Sequence, residues 1–224
     1  MKISRIQAVT FDAGGTLFAP WPSVGHVYAE VAEQFGVEGV APAALNDGFG
    51  RAWRTRKDFN YSEAAWFELV RQSFGPRATE LPEDFYPAVY RRFVEAEAWR
   101  IFEDVVPSLG RLASLGLRLG IVSNWDDRLG PLLANLKLAS YFDAVLISCD
   151  VGFAKPSPVI FEQAARKLGV PPSAVLHVGD SAAEDFDGAR AMGAQATLID
   201  RDRESALPHR ISSLADLEAL VATS

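Results

Sequence analysis

This 224-residue chain has little cysteine, no excess of positive charge and no Cys/His set of the kind that binds zinc. Cys149 is the only cysteine, so the chain cannot form an internal disulfide or a zinc site of the Cys/His kind. Lys and Arg total 22 against 29 Asp and Glu, which gives a net charge of −7. Because an acidic protein repels nucleic acid and anionic membranes, we expect neither as a partner. A small or metal-chelated molecule is the partner that this composition favours.

Long apolar runs are also absent. No stretch approaches the roughly 20 apolar residues that span a bilayer, and the N-terminal apolar run is interrupted too early for a signal peptide. We therefore expect a cytoplasmic protein without membrane association. The hydrophobic residues make up 49% of the chain, enough to bury a real core. The pattern does not indicate an oligomeric state.

One long segment, residues 18–100, shows helical periodicity and no convincing strand. Apolar residues recur at helical spacing, and Ser62 with Glu63 is typical of a helix start. The helical stretches are 24–35, 43–53, 62–74 and 82–99. This segment predicts an all-helical domain.

The remainder of the chain alternates between apolar strands and helices. The predicted strands are 6–11, 117–124, 142–150, 173–180 and 194–200. Strands that alternate with helices of about ten residues predict βαβ units and a parallel sheet. The predicted architecture is thus an α/β core of residues 1–17 and 101–224, with the helical domain inserted after the first strand.

Several predicted strands end on residues suited to chemistry. Asp12, the pair Ser123 and Asn124, Asp150 (shortly before Lys155) and Asp180 stand at these ends. In an open α/β sheet, ligands bind beyond the carboxyl ends of the strands. These side chains are therefore expected to meet in one site.

Four short motifs carry a family resemblance. They are FDAGGTL at 11–17, VSN at 122–124, AKPSP at 154–158 and HVGDSAAED at 177–185. In this order they resemble the four motifs of the haloacid dehalogenase superfamily, and the helical insert stands where that family has its type 1 cap. The resemblance implies a Rossmann-like three-layer core and a cap that closes over the site and selects the substrate.

The resemblance also implies magnesium-dependent phosphoryl transfer on a small phosphorylated metabolite. Asp12 would attack the phosphoryl group and form an aspartyl-phosphate, with Lys155 neutralising the charge. Ser123, Asn124 and Thr16 would bind the substrate, the first two through phosphate oxygens, and Thr16 would also order the first loop. Taken alone, Asp12 could equally be a turn residue after a strand and Lys155 a solvated loop lysine.

The same resemblance implies a Mg²⁺ site. Its ligands would be Asp12, the carbonyl of Gly14 and Asp180, with Asp185 in support. Oxygen ligands of this kind are the ones that Mg²⁺ prefers. The alternative for Asp180 is a helix cap. Glu184 stands where the family often has Asn, and either a site role or a solvated surface role remains open.

Gly14 is the departure from the family pattern, because family phosphatases carry a second Asp there as the general acid and base. Such assistance is worth about 10²–10⁴-fold in rate. One interpretation is a phosphatase in which another residue, a cap side chain or water replaces the acid, or which needs none. Asp126 and Asp127 are possible substitutes, although a solvated helix start is the favoured interpretation of both. A second is a phosphonatase-like enzyme with Lys57 as a Schiff base. A third is a non-catalytic binding protein, and a dehalogenase is disfavoured by the intact Asp180 and Asp185.

Other conspicuous side chains receive no site role from the sequence. The cap residues that could face the core are Trp21, His26, Arg51, Trp53, Arg54 and Arg56. Tryptophan on a helix is more often packed, and arginine more often solvated. His177 lies within an apolar strand, which favours a packed core histidine.

Overall fold

Two compact units make up the part of the chain that the computed structural model describes, namely residues 5–57, 59–201 and 209–222. The core unit contains the described residues of Met1–Phe18 and Ile101–Ser224, and the cap unit is Ala19–Arg100. No helix among these residues is long and apolar enough to cross a membrane.

The strands and helices follow in chain order. The strands are β1 (Ala8–Phe11), β2 (Phe18–Pro20), β3 (Trp99–Ile101), β4 (Arg118–Ser123), β5 (Ala144–Ile147), β6 (Val175–Gly179), β7 (Gln195–Ile199) and β8 (Arg210–Ile211). The helices are α1 (Val24–Gln34), α2 (Pro42–Thr55), α3 (Glu63–Phe74), α4 (Phe85–Arg92), α5 (Val105–Ser114), α6 (Leu129–Asn135), α7 (Ser148–Val151), α8 (Pro158–Leu168), α9 (Gly188–Ala191) and α10 (Leu217–Ala222). A π-helical turn, Ala182–Asp187, leads into α9.

The core unit is built on a six-stranded sheet of order β5-β4-β1-β6-β7-β8, in which every neighbouring pair is parallel. The predicted α/β class with a parallel sheet is confirmed. Phe11 at the end of central β1 lies opposite Ile121 of β4 and Val178 of β6. Because these ends are in register, the residues that follow them emerge at one edge of the sheet.

The strands of the sheet have short apolar sequences because helices cover both faces of the sheet and bury their side chains. All four residues of β1 are buried, as expected for a central parallel strand covered on both faces. Helix α8 packs on the sheet through residues at helical spacing, among them Ile160, Phe161 and Leu168. Burying each large apolar side chain stabilises the fold by roughly 1.5–3 kcal/mol.

The cap unit has an aromatic core of its own. Tyr28 stacks on Phe74 with ring centroids 6.1 Å apart, and Phe74 meets Phe85 edge to face at 5.3 Å. Helix α3 begins at the predicted residue, since the Ser62 hydroxyl accepts a hydrogen bond from the Ala65 N–H at 3.2 Å. This N-cap hydrogen bond satisfies one of the backbone N–H groups that have no partner within the helix at its start.

Three details of the sequence interpretation are wrong. Strands β2 and β3, which form a separate two-stranded sheet, lie at the ends of the segment expected to hold no strand. The helix expected over 82–99 is confined to Phe85–Arg92. The strand expected over 142–150 ends at Ile147, so Asp150 lies in α7 and not at a strand end.

Candidate active site

Asp12 leaves the sheet at the end of β1 and lies at the centre of the site. Its N–H donates to the Val178 carbonyl at 2.9 Å, which continues the ladder to β6. The chain then turns at Gly15, which has φ +75° and whose N–H donates to the Phe18 carbonyl at 2.9 Å. A Cβ at Gly15 would lie 2.6 Å from Oδ2 of Asp180, so only glycine allows this approach.

Two donors bind the same oxygen of Asp12. The Ser123 hydroxyl, at the end of β4, donates to Oδ1 at 2.8 Å, and the Lys155 ammonium donates to Oδ1 at 2.7 Å. Among the described residues, no hydrogen-bond donor reaches Oδ2 of Asp12. One oxygen of the carboxylate is therefore fixed in place while the other keeps its lone pairs.

Lys155 lies buried between two carboxylates. Its Nζ also donates to Oδ1 of Asp185 at 2.5 Å, and its side chain is 1% exposed. Burial by itself would lower the pKa of Lys155, but the negative charges of Asp12 and Asp185 outweigh it and raise the pKa above its ordinary value. The ammonium consequently stays charged and offsets the repulsion between the two acids.

Asp185 lies under the end of β6 with both oxygens bonded. Oδ2 accepts from the Ser181 N–H at 2.9 Å, and Oδ1 lies 3.1 Å from Nε2 of His177 as well as beside Lys155. Burial would raise the pKa of Asp185, but the charge of Lys155 and the hydrogen bond to His177 hold it well below the usual range. A Cβ at Gly179 would lie 2.1 Å from Cγ of Asp185, so this close approach requires glycine there.

His177 was expected to be a packed core histidine. It is fully buried and meets the Phe161 ring edge to face at 5.0 Å, yet both ring nitrogens are also bonded. Nδ1 lies 2.9 Å from the Thr10 hydroxyl and Nε2 faces Asp185. A histidine that donates from Nε2 and accepts at Nδ1 satisfies both partners. His177 thus helps to hold Asp185, the acid that in turn bonds Lys155.

Asp180, by contrast, is exposed at the start of the π-helical turn. Desolvation by the surrounding protein, together with the charges of Asp12 and Asp185, raises the pKa of Asp180 to about 6. Each of the three acids offers an oxygen within 4.8 Å of the others. Three carboxylates that share one ammonium leave excess negative charge, and their all-oxygen donor set suits a hard divalent cation. The residues present therefore fit a metal ion held by Asp12 and Asp180, with Asp185 behind them.

Asn124 and Thr16 have surroundings different from those expected of substrate-binding residues. The Asn124 side-chain amide donates to the Lys155 carbonyl at 2.9 Å, and its oxygen accepts from the Lys155 N–H at 2.6 Å. Thr16 is fully buried, and its hydroxyl has no hydrogen-bond partner among the described residues. The Asn124 side chain holds the Lys155 loop, and the Thr16 side chain offers a substrate no contact in this conformation.

The sequence left the roles of three further acids, Glu184, Asp126 and Asp127, undecided, and the structure gives them different surroundings. The half-buried Glu184 carboxylate accepts from the Asn124 amide at 3.1 Å, and burial raises its pKa. It therefore borders the site. Asp126 is buried in a 2.6 Å ion pair with Arg128, so the expectation of a solvated helix start is wrong for this residue. An acid committed to that pair is not placed to replace a missing proton donor. Asp127 is exposed.

Trp125 is a neighbour of the site that the sequence did not indicate. A Cβ at Gly14 would lie 3.1 Å from Cζ3 of its indole ring. The signal was its position directly after Ser123 and Asn124, but only the meeting of two loops reveals the contact. The carbonyl of Gly14 as a metal ligand remains a prediction.

Comparisons with known proteins agree with this geometry. The model of the haloacid dehalogenase-like hydrolases matches residues 6–193. The chain is 33% identical over 208 residues to haloacid dehalogenase-like hydrolase domain-containing protein 3 of Danio rerio, covering 88% of this chain and 86% of that protein. The chain therefore belongs to the haloacid dehalogenase-like hydrolase family.

Solved structures of this fold cover two kinds of chemistry. A HAD phosphatase from Thermococcus onnurineus is 26% identical with a TM-score of 0.70, covering 96% of this chain and 98% of that one. A 2-haloacid dehalogenase from Pseudomonas syringae is 27% identical with a TM-score of 0.68, covering 97% and 99%. The overall likeness to these two structures is nearly equal, so the choice between the two reactions has to come from the site residues.

Proposed function

We propose that this protein is a magnesium-dependent phosphatase that acts on small phosphate esters through a covalent intermediate on Asp12. The observation that carries the proposal is that Asp12, Asp180 and Asp185 offer oxygens within 4.8 Å of one another, while the buried Lys155 ammonium bonds two of these acids, Asp12 and Asp185. Like-charge repulsion would otherwise keep a phosphate away from an attacking carboxylate. A bound divalent cation would supply further charge neutralisation at the phosphoryl oxygens.

The chemistry follows from the contacts of Asp12. Its unbonded Oδ2 would attack phosphorus and form a P–O bond while the bond from phosphorus to the leaving oxygen breaks. Ser123 and Lys155, both on Oδ1, would hold the carboxylate in position for that attack. A water molecule would then attack phosphorus, which releases inorganic phosphate and restores the Asp12 carboxylate.

Gly14 limits which esters such a site hydrolyses quickly. With no acid at this position, a basic alkoxide would depart without a proton, which costs roughly 10²–10⁴-fold in rate. An aryloxide or another weakly basic group needs no such help. We therefore expect activated phosphate esters to be the faster substrates.

The first test is hydrolysis of 4-nitrophenyl phosphate with and without Mg²⁺. We expect activity that disappears with a chelator, and Asp12→Asn should lower kcat by at least about 10³-fold because the nucleophile is lost. Asp187→Asn, which changes an exposed acid at the end of the π-helical turn, is the matched control and should keep wild-type activity.

Two other outcomes point to other functions. Chloride release from a 2-chloroalkanoate in the presence of a chelator would favour dehalogenation, which the missing acid at Gly14 permits because halide needs no proton. Absence of turnover on activated and ordinary esters alike, with Mg²⁺ still bound, would favour a binding protein and contradict the proposed phosphatase.

A further inference from the structure

The space beside Gly14 is filled by an aromatic ring. A Cβ built at Gly14 would lie 3.1 Å from Cζ3 and 3.6 Å from Cη2 of Trp125. Few real Cβ contacts are closer than 3.4 Å, so a side chain at position 14 could enter only if the indole moved by some tenths of an ångström. The indole thus stands where the side chain of the missing acid would begin.

The position of Trp125 is set from two sides. The backbone N–H of Trp125 donates to the Ser148 hydroxyl at 3.1 Å. Its backbone carbonyl accepts from that hydroxyl at 3.1 Å and from the Cys149 N–H at 3.3 Å. The ring meets the Phe18 ring edge to face, with centroids 6.0 Å apart. A ring held by its backbone and by a second aromatic ring is a preorganised surface.

The contact between Trp125 and Gly14 belongs to the same pair of loops that hold the nucleophile. Gly14 follows Asp12 by two residues, and Trp125 follows Ser123 by two residues. The hydroxyl of Ser123 bonds the carboxylate of Asp12, and one step further along both loops the indole packs on Gly14. Trp125 as a whole is half-buried.

We infer that Trp125 determines which leaving group the site accepts, because it presents a flat apolar surface to esters with aromatic, weakly basic leaving groups. This inference rests on the proposed function. Aromatic contacts and apolar burial would favour such a group, whereas an alkoxide would find no acid at Gly14 to protonate it. An acid at position 14 would have to displace the indole by a few tenths of an ångström.

The binding test uses phosphonates that are not hydrolysed. Calorimetry with Mg²⁺ should show that the wild type binds phenylphosphonate about 10-fold more tightly than methylphosphonate. Trp125→Leu, which keeps an apolar side chain but removes the flat ring, should reduce this preference to about twofold, and Trp125→Phe should keep most of it. Phe142→Leu, which removes a ring that packs on Phe11 with centroids 6.4 Å apart, is the control and should leave the preference unchanged.

The kinetic test asks whether an acid and the indole compete for space. Gly14→Asp alone should change turnover of an alkyl phosphate by less than about 10-fold, since its Cβ meets the ring. Gly14→Asp combined with Trp125→Leu should exceed the product of the two single effects by about 10-fold or more, because a positioned acid contributes about 10²–10⁴-fold.

The outcomes separate the two proposals. A wild type that binds phosphonates with a phenyl preference but hydrolyses no ester would contradict the phosphatase and leave the role of Trp125 supported. An equal affinity of wild type for both phosphonates, or a full gain from Gly14→Asp with the indole intact, would overturn the inference about Trp125 alone.

Discussion

A network of buried polar side chains supports Asp12 at the edge of the sheet. It runs from Thr10 through His177, Asp185 and Lys155 to Asp12, with each link between 2.5 and 3.1 Å. Thr10 and His177 are register partners on β1 and β6, so the parallel sheet itself sets the first link. Buried polar networks are stabilising only when every member is satisfied, which makes each link sensitive to loss of its partner.

His177, near the end of this network that is far from Asp12, allows a test at the scale of single residues. His177→Phe keeps a ring but removes the donor to a buried carboxylate, and it should lower the free energy of unfolding by about 1–3 kcal/mol. It should also lower kcat, because Asp185 would hold Lys155 less firmly. Urea denaturation and hydrolysis of 4-nitrophenyl phosphate measure the two effects.

Thr10→Val is the matched variant for this test. It removes only the hydroxyl at the far end, so its effect on stability should be the smaller of the two and its effect on kcat slight. If both variants lost stability equally while kcat stayed at the wild-type value, His177 would be a packing residue without influence on the site.

A second polar cluster joins the ends of several elements in the core unit. Asp104, just before α5, accepts from the Arg201 guanidinium at 3.0 Å, from the Ser213 hydroxyl at 2.9 Å and from the Leu214 N–H at 2.7 Å. Arg201, just after β7, also donates to the Thr16 carbonyl and lies over the Phe102 ring at 3.8 Å. The cluster therefore ties the loop after Asp12 to the start of α5 and to the C-terminal segment.

The cluster predicts a pH-dependent stability. Burial would raise the pKa of Asp104, but the Leu214 N–H, Ser213 and the charge of Arg201 outweigh it and lower the pKa. A lowered pKa in the folded state stabilises the protein above the unfolded-state pKa of about 4, and this contribution is lost as the pH falls through the lower folded value. Asp104→Asn should therefore cost about 1–3 kcal/mol near neutral pH, and less as the pH falls below about 4.

Urea titrations at several pH values measure this difference between wild type and Asp104→Asn. Ser213→Ala removes one of the donors that lower the pKa of Asp104 and leaves its charge, so it should cost less and show a smaller dependence on pH. A destabilisation by Asp104→Asn that stayed constant from neutral to acidic pH would contradict the assignment.

The elements also show how far the sequence could predict the fold. Apolar runs ending in Asp12 and Asp180 were sufficient for β1 and β6, because buried parallel strands have a distinct composition. β2 and β3 have three residues each, too few to show a periodicity of two. The strand expected through Asp150 ends early because Ser148 begins a helical turn and bonds the backbone of Trp125, a contact between distant segments.

The site shows the same limit. The motif order was sufficient to select the four charged residues that the structure brings together, since the motifs lie at or shortly after the carboxyl ends of β1, β4, β5 and β6 of one parallel sheet. What the sequence could not predict is which groups are already bonded. Asn124 is occupied by the Lys155 backbone, Thr16 is enclosed, and Trp125 reaches Gly14 only because two loops meet.

At the scale of the whole molecule, each unit has a buried apolar cluster of its own. In the core unit it includes Val122 and Phe161, and in the cap unit Tyr28 and Phe85. The chain leaves the core unit after Phe18 and returns at Ile101, and beside these points the Leu17 carbonyl accepts from the N–H of Phe102 at 3.1 Å. The two points of connection are therefore adjacent.

This adjacency predicts that the cap unit can be removed. A chain in which a short Gly-Ser linker replaces Ala19–Arg100 should fold, with a free energy of unfolding in the usual range of about 5–15 kcal/mol. Circular dichroism should show one cooperative unfolding transition. The hydrolysis of 4-nitrophenyl phosphate should decrease but should still require Mg²⁺ and Asp12. An aggregated product without a cooperative transition would show that the core unit depends on the cap unit for folding.

Adjacent points of departure and return also bear on how such a protein can evolve. Replacement of one stretch of the gene, between the codons for Phe18 and Ile101, would exchange the whole segment without moving a strand of the six-stranded sheet. Descendants of one ancestral core could in this way acquire unrelated inserts while Asp12, Asp180 and Asp185 stayed in place.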